Sequence, residues 1–212
     1  MAGETLSALR TSVRSDLRDT AGATWSDTEV NDLINSGIDW LNDFYPKDAI
    51  QVTAYTQPVS GALFSVALTD VSWPFRVDVF DGSNKYRETL WPSSGDGPDS
   101  GWDVHNSIIF FPPHYALSDT GTLRIYGYTG YVQLSANTST TDMDTSAINA
   151  MRVWVQAEAF NRLLSDRVAF QQWQVQSGNS DVSALSLNQI ALSNQARIRR
   201  EESRLRKMRR LG

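Results

Sequence analysis

Residues 25–46 read WSDTEVNDLINSGIDWLNDFYP, and this stretch carries both ends of a helix. Ser26 followed three residues later by Glu29 predicts a capping box, in which each side chain bonds the backbone N–H of the other residue. Pro46 ends the helix because proline cannot continue it. Between these ends, apolar or small residues recur at helical spacing at Val30, Leu33, Ile34, Gly37, Ile38 and Leu41. Gly37 on this face predicts a close crossing with another helix.

A shorter amphipathic helix is predicted before this one. Its apolar positions have the 3-4-4 spacing of one helix face and are Leu6, Leu9, Val13 and Leu17. Beside them runs a basic stripe of Arg10, Arg14 and Arg18. The residues Thr-Ala-Gly at 20–22 interrupt the pattern, so we expect two separate N-terminal helices.

From about residue 50 to residue 134 the pattern changes to short runs of β-branched and aromatic residues, separated by Gly, Pro, Asn and Asp. The candidate strands are residues 50–55, 63–68, 75–80, 85–90, 108–111 and 122–128. The sequence Asp-Gly-Ser-Asn at 81–84 predicts a hairpin turn, and residues 91–98, rich in Gly, Pro and Ser, predict an exposed loop. We expect an all-β sandwich or a barrel-like region.

After a Ser/Thr-rich linker at residues 135–145, the helical period returns. One face of the next helix holds Ile148, Met151, Val155, Ala159 and Leu163. This helix could run to Gly178, which suits a left-handed helix end, and would then be about 45 Å long. A second start at residues 179–181 leads into another long helix, whose apolar positions are Leu187, Ile190, Ile198, Leu205 and Met208.

The order of these elements predicts an α+β protein. Residues 1–49 and 135–212 would form a helical bundle of two N-terminal and two long C-terminal helices. Residues 50–134 would form the all-β region inserted between them.

The composition restricts the class of protein. The chain has 212 residues and no Cys, so it can bury a core without disulfides, and thiolate nucleophiles and Cys-based zinc sites are excluded. Residues 1–9 lack the basic and apolar regions of a signal peptide. No stretch approaches the roughly 20 apolar residues of a membrane helix. We therefore expect neither a signal peptide nor a membrane span, and synthesis in a reducing cytoplasm.

The residues that could carry chemistry fit no catalytic or metal-binding motif. His105 and His114 lack the spacing of metal ligands and are expected in loops. A carboxylate pair such as Asp78 and Glu88 could act on a glycoside only if the strands placed them roughly 5 to 9 Å apart. Because the sequence has no phosphate-binding loop and no nucleophile elbow, we predict a protein that is not an enzyme and needs no metal or cofactor.

The last segment, residues 195–212, inverts the charge of the chain. It holds eight Arg or Lys and two Glu, a net charge of +6, which leaves −11 for the rest of a chain whose net charge is −5. Three interpretations fit: a solvated terminus, an arm that binds nucleic-acid phosphates, and a helix that docks in a protein groove. An apolar edge favours the groove, since Ile198, Leu205, Met208 and Leu211 recur among the charges.

This interpretation predicts a partner-binding site on the C-terminal segment. The predicted contact residues are Arg197, Ile198, Arg200, Arg204, Leu205, Arg206, Met208, Arg209 and Arg210. We expect the segment to become helical only when it docks, because the rest of the chain offers its many cations and narrow apolar edge too few partners.

An aromatic set in the β region supports an alternative function. It consists of Trp73, Trp91, Trp102, Tyr115, Tyr126, Tyr128 and Tyr131. Such residues usually form a core and its rim, but they can also anchor a protein contact or stack on sugars. The alternative is a carbohydrate- or receptor-binding module that uses the aromatic-rich β region.

Taken in order, several of these segments resemble head–tail adaptor (connector) proteins of tailed bacteriophages. The resemblance begins with Asp19, the capping-box helix and its end at Tyr45-Pro46. It continues with Ile-Ile-Phe-Phe-Pro-Pro at 108–113 and Leu-Arg-Ile-Tyr-Gly-Tyr at 123–128. It ends with Leu-Leu-Ser-Asp-Arg at 163–167, Phe-Gln-Gln-Trp at 170–173 and the Arg-rich last helix.

The resemblance implies a structural virion protein at the head–tail interface, assembled in the host cytoplasm. It implies a ring of copies, commonly twelve, that lies under the portal protein and contacts a downstream tail protein. DNA would pass through the channel of the ring without specific binding. The family's C-terminal segment reaches into the portal, and here that role falls on residues 195–212.

Overall fold

The computed structural model describes residues 3–56, 64–93, 101–111, 120–176 and 178–211, and of residues 205–211 it describes the backbone alone. Within these residues the chain forms five helices and seven strands. They divide into a helical unit, Met1–Pro46 with Tyr131–Gly212, and a β unit, Lys47–Gly130. Helices at both ends with a β region inserted confirm the predicted α+β class.

The helical unit consists of α1 (Leu6–Asp16), α2 (Asp27–Phe44), α3 (Thr145–Ser165), α4 (Arg167–Gln176) and α5 (Ala184–Leu211). All four predicted apolar positions of the first helix segment, Leu6, Leu9, Val13 and Leu17, are buried, and so are the predicted positions of α2. Together with residues of α3, α4 and α5 they form one apolar core. Burial of matched helix faces therefore organises this unit.

The capping box at the start of α2 is confirmed. The Ser26 hydroxyl accepts the Glu29 N–H at 3.2 Å, and the Glu29 carboxylate accepts the Ser26 N–H at 2.7 Å. The close crossing at Gly37 is also confirmed, because a Cβ there would lie 2.9 Å from Met151 Cγ and 3.1 Å from Val155 Cγ2 of α3. Glycine therefore sets the distance between α2 and α3.

The single helix predicted up to Gly178 is instead two helices, and Asp166 is the break. Its backbone is extended, and its carboxylate accepts the N–H groups of Val168 and Ala169 at 2.8 and 3.1 Å, as an N-cap of α4 does. The break turns α4 away from the direction of α3 and buries Trp173 of α4, whose indole N–H donates to the Leu17 carbonyl at 3.1 Å. This tertiary contact is stronger than the preference for an unbroken helix.

Gly178 follows α4 as the predicted left-handed helix end, but α5 starts later than predicted. Gly178 has the left-handed φ of 66°, and the Asn179 N–H donates to the Gln174 carbonyl at 2.8 Å. Residues 179–181 thus belong to the turn. The N-cap of α5 is Ser183, whose hydroxyl accepts the Ser186 N–H at 3.1 Å.

The β unit contains two antiparallel sheets that share one apolar core. Its strands are β1 (Lys47–Thr56), β2 (Phe64–Ala67), β3 (Trp73–Asp81), β4 (Tyr86–Leu90), β5 (Asp103–His105), β6 (Ile108–Phe111) and β7 (Thr120–Thr129). One sheet has the order β1-β7-β3-β4 and the other β2-β6-β5. The six predicted strands are present, and the short β5 was not predicted.

The predicted hairpin turn between β3 and β4 is confirmed by its hydrogen bonds. The Asp81 carboxylate accepts the N–H groups of Ser83 and Lys85 at 2.9 and 3.0 Å, and Asn84 has a φ of 58°. These two N–H groups and the charge of Arg87 hold the pKa of Asp81 below its ordinary value, with the Lys85 N–H making the largest contribution. Most of the loop predicted at 91–98 lies outside the described residues.

Residues 131–134, which the sequence pattern grouped with the β region, pack in the helical unit. Tyr131 and Leu134 are buried in its core. The side-chain amide of Asn42 exchanges two hydrogen bonds with the backbone of Tyr131, at 2.7 and 3.2 Å, and Asn35 does the same for Leu134, at 2.9 and 3.2 Å. The two asparagines therefore bind an extended segment to α2.

Replacing Ser26 with Ala should lower the free energy of unfolding by about 1 kcal/mol, because the Glu29 N–H loses its acceptor. Chemical denaturation measures this difference. Ser36→Ala in the same helix is the control, since Ser36 makes no described side-chain hydrogen bond. Equal stability of the Ser26→Ala variant and the wild type would show that Ser26 does not cap α2.

Candidate partner-binding surface

The C-terminal helix α5 has two chemically different halves. It has 28 residues, which corresponds to a length of about 42 Å. The first half, residues 184–194, contains no charged residue, and the second half contains the predicted site. In the first half Leu187, Ala191 and Asn194 are buried against the helical unit.

Contacts with the helical unit continue into the basic half of α5. Ile198 is half-buried on the side that carries Leu187 and Asn194. One turn further on, the Glu202 carboxylate accepts the indole N–H of Trp40 at 3.4 Å. Trp40 in turn stacks on Trp154 of α3, with 6.2 Å between ring centroids. The unit therefore holds α5 in place as far as Glu202.

The prediction that residues 195–212 become helical only on docking is wrong, since α5 is helical through Leu211. The physical reason is that helix formation is costly at its nucleus and cheap at each added residue. The first part of α5, whose face with Leu187, Ala191 and Asn194 is buried, supplies the nucleus, and Ile198 and Glu202 extend the anchoring. The basic residues after Glu202 are then added to an existing helix.

The predicted site residues fall into three groups. Arg200 and Arg204 are exposed one turn apart, and Arg204 pairs with Glu201 at 2.7 Å. Arg197 is exposed at two pockets beside Asp16, and Ile198 faces the helical unit. The side chains of Leu205, Arg206, Met208, Arg209 and Arg210 lie outside the described residues, although their backbone is helical. That these residues bind a partner stays a prediction.

An ion-pair cluster that the sequence analysis did not predict joins α1 to α2. Arg10 contacts the side chains of Asp27 and Asn137, and Arg14 contacts Asp27 at 2.7 Å and Asp19 at 3.3 Å. Both arginines are nearly buried. The only sequence signal was their stripe beside the apolar face, which is more often solvated than buried.

The aromatic set of the alternative function is divided between different environments. Trp102 is buried, with its indole N–H on the Leu90 carbonyl at 3.0 Å, and Tyr131 is buried in the helical unit. Tyr126 lies under the Arg76 guanidinium at 4.1 Å, and Tyr128 packs on Phe75. Trp73 and Trp91 are exposed, and Tyr115 lies outside the described residues. Trp73 and Tyr128 are cross-strand partners and share one face of the sheet with Tyr126, whereas Trp102 and Tyr131 are buried in two different cores.

The candidate carboxylate pair of the β unit cannot face one substrate. Asp78 pairs with Thr89 across the sheet, while Glu88 pairs with Val79. Neighbouring residues of a strand point to opposite faces, so Asp78 and Glu88 lie on opposite sides of the sheet. Asp78 is buried and accepts the Thr89 hydroxyl at 2.7 Å and an Arg76 N–H at 2.9 Å.

Neither a metal site nor a membrane-spanning helix is found in the part of the chain that the structure describes. No three His, Cys, Asp or Glu side chains there are placed to share a metal ion. None of the helices formed by these residues combines the length and apolarity that crossing a membrane requires. His105 lies at the end of β5, and His114 is outside the described residues.

Comparison with protein families gives a match over nearly the whole chain: the model of the SU10 adaptor protein family covers residues 4–204. The chain belongs to the SU10 adaptor protein family. This confirms the resemblance to phage head–tail adaptors on which the sequence analysis relied. No curated protein matches the sequence significantly. The adaptor is thus a phage structural protein, and the match includes both units and α5 as far as Arg204.

Acid should destabilise the start of α2 in this adaptor. The hydrogen bond from Arg14, aided by the charge of Arg10, holds the pKa of Asp27 below its ordinary value. The Ser26 N–H and hydroxyl do the same for the pKa of Glu29. Carboxyls with a lowered pKa contribute stability that is present above their unfolded pKa of about 4 and is lost as the pH falls through the folded value.

The variant Asp27→Asn/Glu29→Gln should therefore be less stable than the wild type at neutral pH and should lose less stability between about pH 5 and pH 3. Thermal melts across this range measure both effects. Asp48→Asn is the control, because Asp48 is exposed and makes no described side-chain contact. Parallel stability curves for the wild type and the double variant would contradict the assignment.

Proposed function

We propose that this adaptor forms a ring under the portal, links the capsid vertex to the tail, and docks on the portal through the basic end of α5. The observation that supports the docking surface is a helix held by the helical unit as far as Glu202, with exposed cations at Arg200 and Arg204. Arg200 is exposed and has no partner among the described side chains, and one turn further on the exposed Arg204 pairs with Glu201. A guanidinium such as that of Arg200 can form paired hydrogen bonds with a carboxylate of a partner.

Two properties of α5 favour a protein partner over DNA. The contact between Glu202 and Trp40 fixes the direction of the helix, whereas an arm that binds phosphates needs only cations within reach. The adaptor outside residues 195–212 has a net charge of −11, which repels a phosphate backbone. An acidic ring wall would also let DNA pass through the channel without binding.

The same proposal places the adaptor in the virion, with the portal on one side and a downstream tail protein on the other. Assembly takes place in the host cytoplasm. The adaptor performs no catalysis in this role. In support, the carboxylate pair that could have acted on a glycoside is divided between two faces of a sheet.

The variant Arg200→Glu/Arg204→Glu should lose portal binding by about tenfold or more, because charge reversal leaves carboxylates of the portal without a partner. The measurement is co-sedimentation with portal rings of the same phage. Arg200→Lys/Arg204→Lys should lose less, since Lys keeps the charge but not the paired geometry. Arg167→Glu is the matched control, an exposed arginine of α4 without a described contact.

Two further experiments distinguish docking on the portal from binding to DNA. Deleting residues 205–212 keeps the contact of Glu202 with Trp40, so the variant should melt like the wild type but bind portal more weakly. Duplex DNA at physiological salt should not compete with portal for the intact protein. Wild-type portal affinity of the charge-reversed or shortened protein, or tighter binding to DNA than to portal, would contradict the docking proposal.

A further inference from the structure

One side of α2 carries acidic residues that the adaptor does not neutralise among its described side chains. From Asp19 to Pro46 the sequence has six carboxylates and no Lys or Arg. Three of them, Asp19, Asp27 and Glu29, hold the turn and the cap described above. The other three are exposed on one side of α2 at spacings of 7 and 4 and form the α2 acidic row: Asp32, Asp39 and Asp43.

The surroundings of the α2 acidic row supply no cation within the described residues. Asp39 accepts the side-chain amide of Gln133 at 2.8 and 2.9 Å, and this amide is neutral. Asp32 and Asp43 make no described side-chain contact. Like charges on one helix face repel each other, so the row is more favourable when an external cationic surface covers it.

A basic groove lies elsewhere on the helical unit, between the end of α1, α3 and α5. Two adjoining pockets of about 230 and 360 Å³ share Asp16, Gln156 and Arg197 as lining residues. Arg18 and Arg152 also line them. We call this surface the α1–α3–α5 groove.

The charges of the α1–α3–α5 groove are not balanced by its own residues. Arg152 binds both carboxylate oxygens of Asp16, at 2.8 and 2.9 Å, so these two charges cancel. Arg197 contacts only the Asn194 side-chain oxygen, at 3.5 Å, and Arg18 contacts no described side chain. Two guanidinium groups are therefore left without a carboxylate among the described residues.

Arg18 is an unusual residue at its position. It has a φ of 54°, and the Asp19 N–H closes the end of α1 on the Arg14 carbonyl at 3.0 Å. Glycine is preferred at such a left-handed helix end, and another residue costs about 1 kcal/mol. The hydrogen bonds of Asp19 with the N–H groups of Ala23, Thr24 and Trp25 stabilise this turn, and the turn leaves the Arg18 side chain exposed.

The two charged surfaces match in length and lie on different sides of α5. The α2 acidic row spans twelve residues of helix, about 16 Å from first to last Cα, and the α3 residues of the groove, from Asn149 to Phe160, span the same length. Glu202, which contacts α2, and Arg197, which lines the groove, are five residues apart and thus about 140° apart around α5. One copy can therefore present both surfaces at once.

We propose that the α2 acidic row of one adaptor copy docks in the α1–α3–α5 groove of a second copy. Two different patches that complement each other give a head-to-tail contact, which closes into a ring when the rotation allows it. This inference rests on the ring assembly of the proposed function, but not on portal docking. It assigns Arg197, grouped with the portal-binding residues by the sequence analysis, to the contact between copies.

Two charge-reversed variants test the contact. The groove variant is Arg18→Glu/Arg197→Glu, and the row variant is Asp32→Lys/Asp43→Lys. Self-association is measured by sedimentation velocity, alone and on portal rings. Each variant alone should associate at least about tenfold more weakly than the wild type, because like charges then meet. An equimolar mixture should recover association, since each variant's groove then faces the opposite charge on its partner's row.

Two single charge reversals serve as controls. Arg167→Glu and Asp48→Lys change exposed charges outside both surfaces and should leave association unchanged, alone or mixed. Recovery in the mixture also shows that both variants are folded. Undiminished association of the single variants, or no recovery in the mixture, would overturn the contact while portal binding stands. A wild type that stays monomeric with and without portal would overturn both the contact and the ring. A wild type that self-associates but does not bind portal rings would overturn only the docking proposal.

Discussion

Burial of the Asp19 carboxylate is the constraint on which the helical unit depends. A buried charge must be compensated, and Asp19 accepts the N–H groups of Ala23, Thr24 and Trp25 and pairs with Arg14. These bonds fix the turn between α1 and α2 and bring the end of α1 to a defined place. There the Leu17 carbonyl accepts the indole N–H that holds α4, so the position of α4 depends on the same turn.

Within this unit, α5 joins a first part without charged residues to a basic second part in one continuous helix. One face of its uncharged first part is buried, and among the described side chains its last contact with α2 is that of Glu202 with Trp40. Under the docking proposal, stability and recognition lie on separate parts of one helix. This division lets the basic end vary with its partner at little cost to the fold, because exposed charges contribute little to stability.

Local sequence patterns predicted most helices, strands and turns. The features that the sequence did not predict depend on contacts between residues far apart in the chain. The capping box, the close crossing at Gly37 and the hairpin turn are local signals, and all three were predicted. The break at Asp166 depends on burial of Trp173 against a residue 156 positions earlier. The ion-pair cluster joins Arg10 to residue 137. For the site, the sequence predicted exposed cations on α5 but neither its helical order nor the groove beside Arg197.

The measurement that tests the account most directly is cryo-electron microscopy of the adaptor mixed with portal rings. The account predicts a ring of adaptor copies under the portal, with the end of α5 in contact with portal residues and α2 of each copy against α1, α3 and α5 of the next. Portal particles without added density, or bound copies whose α5 points away from the portal, would contradict it.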